Sequence, residues 1–196
     1  MLAGVGPGHP RLLTQEVREL IESSSRVLAF GRVARGLGEL RSDIETIKKV
    51  EDAALLVKED QDILILASGD PCFYGLLEFL QRKEIVIDRV LPGLSSFQYL
   101  CSKLQKPWQQ ASLLSLHGRE ESLESVGKSR LSIILVDGKN TPQVISKRLF
   151  ELGVRGKLYV GFNLSYEDEL IVRGRVGEDI ENYSSLAVMV VENEVS

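Results

Sequence analysis

The sequence predicts an α/β fold whose first half is a mostly parallel sheet, and three observations carry that prediction. Glycine-rich turns at Gly4-Val5-Gly6-Pro7-Gly8, Ser68-Gly69-Asp70-Pro71 and Pro92-Gly93-Leu94-Ser95-Ser96 each follow an apolar run and precede a helical pattern. The run Ile63-Leu64-Ile65-Leu66 is continuously apolar, as a strand covered on both faces must be. Apolar runs alternate with helical periodicity, which is the pattern of βαβ units. In such sheets, turns at the carboxyl ends of strands open small-molecule sites, so several glycine turns in one chain predict one shared pocket.

The elements follow in order. Residues 1 to 5 read as a first strand, and Thr14 caps a helix with Val17, Leu20 and Ile21 on one face. Val27 to Phe30 is a second apolar run closed by Gly31, Asp52 to Val57 is helical, and Ile63 to Leu66 is a buried strand. Phe73, Leu76, Leu77 and Leu80 recur at helical spacing. Ile85-Val86-Ile87 and Val90-Leu91 return to strand, and Ser95 or Ser96 caps a helix over Phe97 to Leu104. Lys106-Pro107-Trp108-Gln109-Gln110 breaks the helical pattern and reads as a link between two lobes, residues 1–107 and 108–196. Beyond it, Leu113 to Leu116 and Ile133 to Val136 are strands, and Thr141-Pro142 opens a helix that Gly153 stops. Leu158 to Phe162, Glu169 to Val176 and Leu186 to Val191 are three more strands, the last two able to pair antiparallel, which makes the second sheet mixed.

Composition narrows the function. With 196 residues, 43% of them hydrophobic and 27% charged, the chain has enough apolar side chain for a core in one domain or two small ones. A net charge of −4, with Lys and Arg scattered, lacks the concentrated basic face that nucleic acid requires. The two cysteines, Cys72 and Cys101, stand in no metal-ligand spacing; both read as small core residues, and no metal is expected. No basic and apolar leader opens the chain, and its longest apolar runs are too short for a bilayer, so a cytoplasmic protein without membrane contact is expected.

The constellations that carry chemistry are few. Gly4-x-Gly6-x-Gly8 is a poor dinucleotide fingerprint, because His9 and Pro10 stand where a tight helix start belongs and Leu28-Ala29-Phe30-Gly31 offers no carboxylate to a ribose. In the Ser68-Gly69-Asp70-Pro71 turn, Gly69 permits close backbone approach while Asp70 presents a carboxylate to an amine or ribose; the same Asp-Pro pair also suits a helix cap. Ser95 and Ser96 offer hydroxyls and N–H groups at a third turn. His117, Ser115 and Asp137 invite a hydrolase triad, but no Gly-x-Ser-x-Gly elbow supports it.

Taken together, these turns resemble the tetrapyrrole methylase family, whose members open with Gly-x-Gly-Pro-Gly, carry a Gly-Asp-Pro-x-x-Tyr/Phe-Gly turn mid-chain and follow it with Pro-Gly-x-Ser-Ser. Here the three are Gly4 to Gly8, Gly69 to Gly75 (with Phe73 and Tyr74) and Pro92 to Ser96, and the resemblance spans essentially the whole chain. Trp108, Ser115-Leu116-His117-Gly118-Arg119 and Asn163-Leu164-Ser165-Tyr166-Glu167-Asp168-Glu169 resemble the branch acting on carbon 5 of a corrin precursor. The resemblance implies two α/β lobes with S-adenosylmethionine in the cleft between them, a homodimer and a ring-shaped precorrin substrate. It places Pro7, Gly69, Asp70, Phe73, Ser95, Ser96, Asn163, Leu164, Leu186 and Ala187 against the cofactor. Two positions depart from the family pattern: His9 stands for an aspartate and Phe162 for a glutamate.

A sulfonium methyl is already electrophilic, so catalysis should rest on positioning and no catalytic side chain is assigned. The substrate's carboxylates call for cations; His117, Arg119 and Arg32 are the candidates, with Lys139 a weaker one. Some relatives carry a fused domain that methylates carbon 15 and removes a carboxyl group; a chain ending at Ser196 is expected to work beside a separate partner for those steps. The competing expectations are another member of the same family acting at a different ring carbon or on protein or RNA, and a module that binds S-adenosylmethionine without turnover.

Overall fold

The computed structural model describes residues 1–59 and 62–194, and its contacts divide the chain into two units, Met1–Ser96 and Phe97–Ser196. Among the described residues, no helix is long and apolar enough to cross a membrane.

The first unit runs β1 (Leu2–Gly4), a 3-10 turn (Pro10–Leu12), α1 (Gln15–Ser23), β2 (Arg26–Phe30), α2 (Gly31–Gly36), β3 (Glu45–Ile47), α3 (Val50–Glu59), β4 (Ile63–Ala67), α4 (Leu76–Arg82) and β5 (Val90–Leu91), with α5 (Ser96–Leu104) leaving it. Its five strands are all parallel, in the order β3-β2-β4-β1-β5. β4 is buried along its whole length, and its alternation divides the core. Leu64 and Leu66 pack with Ala3, Val17 and Ile21 on one face, under α1 and α2. Ile63, Ile65 and Ala67 pack with Leu2, Ala53 and Leu80 on the other, under α3 and α4. Thr14 Oγ1 accepts from Val17 N–H at 3.2 Å, a cap worth about 1 kcal/mol.

Two sequence expectations differ here. β2 ends at Phe30 with Gly31 next, as expected, and Gly31 opens α2 directly, without an intervening loop; Phe73, by contrast, lies in the turn ahead of α4. Ile85 to Ile87 form no strand. The chain leaves α4 through Glu84 at φ +55°, with Ile85 N–H on Leu80 C=O at 3.0 Å. Ile85 is thereby folded into the core as the helix's C-terminal hydrophobic contact, while Val86 is left 81% exposed.

The second unit contains β6 (Ser112–Ser115), α6 (Glu124–Gly127), β7 (Leu131–Leu135), α7 (Pro142–Glu151), β8 (Gly156–Phe162), β9 (Leu170–Arg175) and β10 (Ala187–Asn193). The strand order is β6-β7-β10-β8-β9; β6 and β7 are parallel and the other pairs antiparallel, a mixed sheet as expected. The last two strands do not pair with each other, however. Val188 to Val191 are buried on both faces and take a central place, whereas β9 carries Arg173 and Arg175 and suits the edge. Leu158, Val160, Phe162, Ile134 and Met189 meet Ile145 and Leu149 of α7 on one face. On the opposite face Gly161 makes room: a Cβ there would stand 2.7 Å from Leu164 Cδ2 and 3.0 Å from Leu100 Cδ1.

The sequence places the division at 107/108, with Lys106 to Gln110 as link, whereas the contacts divide at Ser96/Phe97. The reason lies in α5, which is packed into the second unit. The Phe97 and Trp108 rings meet edge to face at 5.1 Å, and Lys106 Nζ lies 2.9 Å from Glu192 Oε2 and over the Tyr159 ring.

At the carboxyl edge of the first sheet the main chain is in contact with itself. A Cβ on Gly4 would stand 2.6 Å from both Gly69 O and Gly93 N, and one on Gly93 would stand 2.2 Å from Gly69 O. Gly93→Ala should therefore lower unfolding stability by about 3 kcal/mol, at the upper end of overpacking costs, with the fall read from denaturant melts. A stability within 0.5 kcal/mol of the parent would mean that the three loops separate at little cost, roughly the level of a neutral surface change.

Candidate functional site

The glycine turns after β1, β4 and β5 emerge side by side because β1 lies between β4 and β5. Gly6 and Gly69 exchange backbone hydrogen bonds, Gly6 N–H to Gly69 O at 3.2 Å and Gly69 N–H to Gly6 O at 2.7 Å. Gly69 has φ +67°, and among the described residues no atom beyond its own chain neighbours lies within 4 Å of where its Cβ would be. The turn is thus locked on its inner side and bare on its outer side, as close approach of a ligand to the backbone requires. Pro7 and Ser95 are buried on this edge, Gly69, Asp70, Phe73 and Ser96 are half-buried, and Arg32 is exposed in the first turn of α2, which follows the neighbouring β2.

Asp70 Oδ1 accepts from Cys72 N–H at 2.7 Å, and Phe73 N–H donates to Asp70 O at 3.2 Å. The carboxylate thus ties off its own turn, and the residue ahead of α4 is Gly75, so Asp70 is not the cap of that helix. Tyr74 follows at φ +49°, an uncommon conformation for a bulky side chain, with its ring edge to face with Phe73 at 4.9 Å. Cys72 is exposed, not a core residue; its thiol is pushed up by burial of the sulfur and by the Asp70 carboxylate. Cys101 is buried as expected, and burial pushes its thiol up to about 11. His9 caps the 3-10 turn through Nδ1, which accepts from Arg11 N–H at 3.1 Å.

In the second unit the strand directions bring a second set of loops to one edge. β8 and β7 both run antiparallel to β10, so the ends of β6, β7 and β8 and the start of β10 coincide, with Ser115 beside Leu135, Leu135 beside Val188 and Ala187 beside Phe162. His117, Arg119, Asn163, Leu164, Leu186 and Ala187 all follow or adjoin that edge. Asn163 N–H donates to Leu186 O at 3.0 Å. Asn163 and Ser165 have φ +45° and +71°. The Leu164 side chain folds over Gly161 into the core, so a ligand would meet Leu164 through its main chain. Phe162 is fully buried with its ring against Tyr183 at 5.4 Å.

Ser115, His117 and Asp137 form no hydrolase relay. His117 Nδ1 lies 3.0 Å from Val136 O, an acceptor only, so that nitrogen carries the proton. Ser115 Oγ accepts from His117 N–H at 3.4 Å, and Asp137 takes backbone N–H groups from Gly118 at 2.9 Å, Lys139 at 2.8 Å and Asn140 at 2.7 Å. These bonds, Gly118 first and Asn140 next, hold the Asp137 carboxyl down at about 2 against the opposing cost of burial. Behind them, Leu116, Glu120, Glu121, Ser122, Asn140 and Arg148 line a cleft of about 380 Å³. The sequence reading named Asp137 only as a triad candidate and Asp168 and Glu169 only within a motif, and missed their role as acceptors that set these loops; the Asp137-Gly138 pair is a legible turn signal, whereas Asp168 and Glu169 carry none.

A parallel unit with ligand loops at its strands' carboxyl ends, in one chain with a mixed-sheet unit bearing its own loop edge, defines a two-unit α/β ligand-binding protein. The chain belongs to the tetrapyrrole (corrin/porphyrin) methylases: the model of that family matches residues 1–179. It is 29% identical to the cobalt-precorrin-7 C(5)-methyltransferase of Salmonella typhimurium over 97% of this chain and 98% of that one. To the probable cobalt-precorrin-7 C(5)-methyltransferase of Methanocaldococcus jannaschii it is also 29% identical, over 98% and 97%. Among solved structures, the cobalamin biosynthesis precorrin-6Y methylase of Archaeoglobus fulgidus superposes with TM-score 0.77 at 22% identity, over 99% of this chain and 97% of that one. The uroporphyrin-III C-methyl transferase of Thermus thermophilus, complexed with S-adenyl homocysteine, superposes with TM-score 0.74 at 23% identity, over 97% and 90%.

The Asp137 carboxyl has a testable signature. Its folded value lies below its ordinary 3.8, so its contribution to stability is complete above that pH and is lost as pH falls toward about 2. The stability gap between the parent chain and Asp137→Asn should be constant above about pH 4 and shrink below it, in denaturant melts at stepped pH. A gap that holds its size down to pH 2.5, roughly the bottom of that window, would contradict the assigned hydrogen bonds.

Proposed function

We propose that the chain catalyses S-adenosylmethionine-dependent methylation of carbon 5 of cobalt-precorrin-7, or of the metal-free ring, in cobalamin biosynthesis. The observation that carries this reading is the end-to-end similarity to two relatives of that name, over 97% or more of every chain compared. The residues present fit the cofactor. Gly69 keeps the outer side of its turn bare, Asp70 stands half-buried beside it, and the α5 end offers Ser95 and Ser96. In the second unit Asn163, Leu164, Leu186 and Ala187 meet at one strand end, where main-chain groups suit an amino acid or a base.

S-adenosylmethionine supplies a methyl group already activated as a sulfonium. The chain is left with binding and orientation: fixing a ring carbon in line with that methyl is worth roughly 7–11 kcal/mol, enough without a side-chain nucleophile. Gly69, Asp70, Phe73 and Ser96 would hold the cofactor from the first unit's edge, and Pro7 and Ser95, both buried, would shape the loops from behind. Arg119, Arg32 and His117 serve the substrate's carboxylates, and Lys139 adds an exposed charge after β7. The reading extends to a cytoplasmic homodimer with a separate partner for carbon 15. A relative in Sinorhizobium, the precorrin-6Y C(5,15)-methyltransferase [decarboxylating], matches this chain at 36% identity over 66 residues and only 16% of its own length.

Incubating the purified chain with S-adenosylmethionine and cobalt-precorrin-7 should add one methyl by mass spectrometry, without loss of carbon dioxide, and NMR should place it on carbon 5. A methyl on another carbon would make the chain a different member of its family. Cofactor binding with no transfer to any precorrin would make it a binding module. Asp70→Ala should weaken S-adenosylhomocysteine binding about tenfold in calorimetry, the loss of one charged hydrogen-bond partner. Unchanged affinity would leave Asp70 with only its turn.

A further inference from the structure

We infer that Glu169 is a positioning residue that holds the cofactor-facing turn Asn163–Ser165 in shape. The turn holds two non-glycine residues in the left-handed region, Asn163 at φ +45° and Ser165 at φ +71°. Such conformations persist only where the surroundings over-determine them. On the Asn163 side, the amide Nδ2 donates to Asp168 Oδ2 at 2.7 Å, and Tyr166 N–H donates to Asn163 O at 3.0 Å. On the Ser165 side the fixing group is Glu169, whose Oε2 accepts from Ser165 N–H at 2.7 Å.

The other half of that carboxylate faces α5. Lys103 Nζ lies 3.3 Å from Glu169 Oε1, the Tyr99 hydroxyl is hydrogen-bonded to the same carboxyl, and Lys103 stands over the Tyr99 ring at 5.1 Å. Burial opposes the charge, yet the Ser165 N–H, Tyr99 and Lys103 together keep the carboxyl below its usual range, so it is ionised and acts as acceptor to all three. The Glu169 side chain is only 20% exposed, so these bonds are screened less than surface pairs. One side chain therefore fixes the turn against the helix packed beneath Gly161, and Leu164, carried between the two left-handed residues, lies over Gly161 as Leu100 of that helix does.

The inference rests on the methyltransferase reading for what the turn faces, but not for the brace itself, and the test separates the two. Hydrogen exchange by mass spectrometry on the cofactor-free chain should speed up in the 163–166 peptide for Glu169→Ala by about tenfold, and much less for Glu169→Gln, which keeps an acceptor for Ser165. Calorimetry with S-adenosylhomocysteine should show about tenfold weaker binding for Glu169→Ala and within about threefold of the parent for Glu169→Gln, with thermal midpoints of both near the parent's. Lys103→Met, which removes only the far partner, should lie with the Gln variant. Unchanged exchange in Glu169→Ala overturns the brace. Faster exchange with unchanged binding overturns its role toward the cofactor, and so does a binding loss seen only where the fold itself melts. A parent chain that binds no S-adenosylhomocysteine refutes the cofactor reading while the exchange result still decides the brace.

Discussion

Main chain packed directly on main chain at Gly4, Gly69 and Gly93 is the constraint on which the first unit depends. Three turns that emerge from adjacent parallel strands would normally be held apart by side chains; here no side chain fits, because a Cβ on Gly4 or Gly93 would lie 2.2–2.6 Å from a neighbouring backbone atom. The pair of hydrogen bonds between Gly6 and Gly69 then fixes the relative height of two of the turns. What remains outward is a surface whose shape is set by the backbone, with Asp70 and Ser96 as its polar points. A site of this kind is suited to a ligand recognised closely and oriented firmly, and less to one that must be activated by a side chain.

The second unit reaches the same end by different means. Its edge loops lack glycine contacts of that closeness and are held by carboxylates that accept backbone N–H groups: Asp137 from Gly118, Lys139 and Asn140, Glu121 from Ser115, and Glu169 from Ser165. Charged acceptors make stronger bonds than neutral ones, which matters where the chain is turned into left-handed conformations without glycine. Part of the chain's acidic excess is therefore structural and spent inward, so the negative net charge is no guide to the potential a carboxylate-bearing substrate would meet.

How far the sequence was legible follows from where the information lies. The parallel unit was readable because a strand buried on both faces writes a continuous apolar run, as Ile63 to Leu66 do, and because Thr14 caps α1 by local chemistry alone, as Thr141 does for α7 in the second unit. Ile85 to Ile87 misled, since a short β-branched run reads as strand whether it pairs or closes a helix by tucking one isoleucine inward. The pairing of the last strands misled for another reason: adjacency in sequence favours a hairpin, whereas the burial of Val188 to Val191 demands the middle of the sheet. Asp70 was marked as a site residue with two possible roles, and its bond to Cys72 N–H belongs to neither a helix cap nor a ligand but to the turn itself. The strain at Asn163 and Ser165 had no signal, because left-handed backbone announces itself in sequence chiefly through glycine.

The position of β1 has a consequence for how the chain is made. β1 precedes every other strand of its sheet in the chain, yet it pairs only with strands that come much later, Leu2 beside Ile65 of β4 and Val90 of β5. The opening residues therefore leave the ribosome without a partner and must remain unpaired until more than sixty further residues have followed. Long-range parallel pairing is slow for the same entropic reason, so β1 stays exposed until β4 and β5 have followed it. The Gly4–Gly69–Gly93 contact cannot close before Gly93 is made, and the ligand loops are among the last parts of the first unit to take shape.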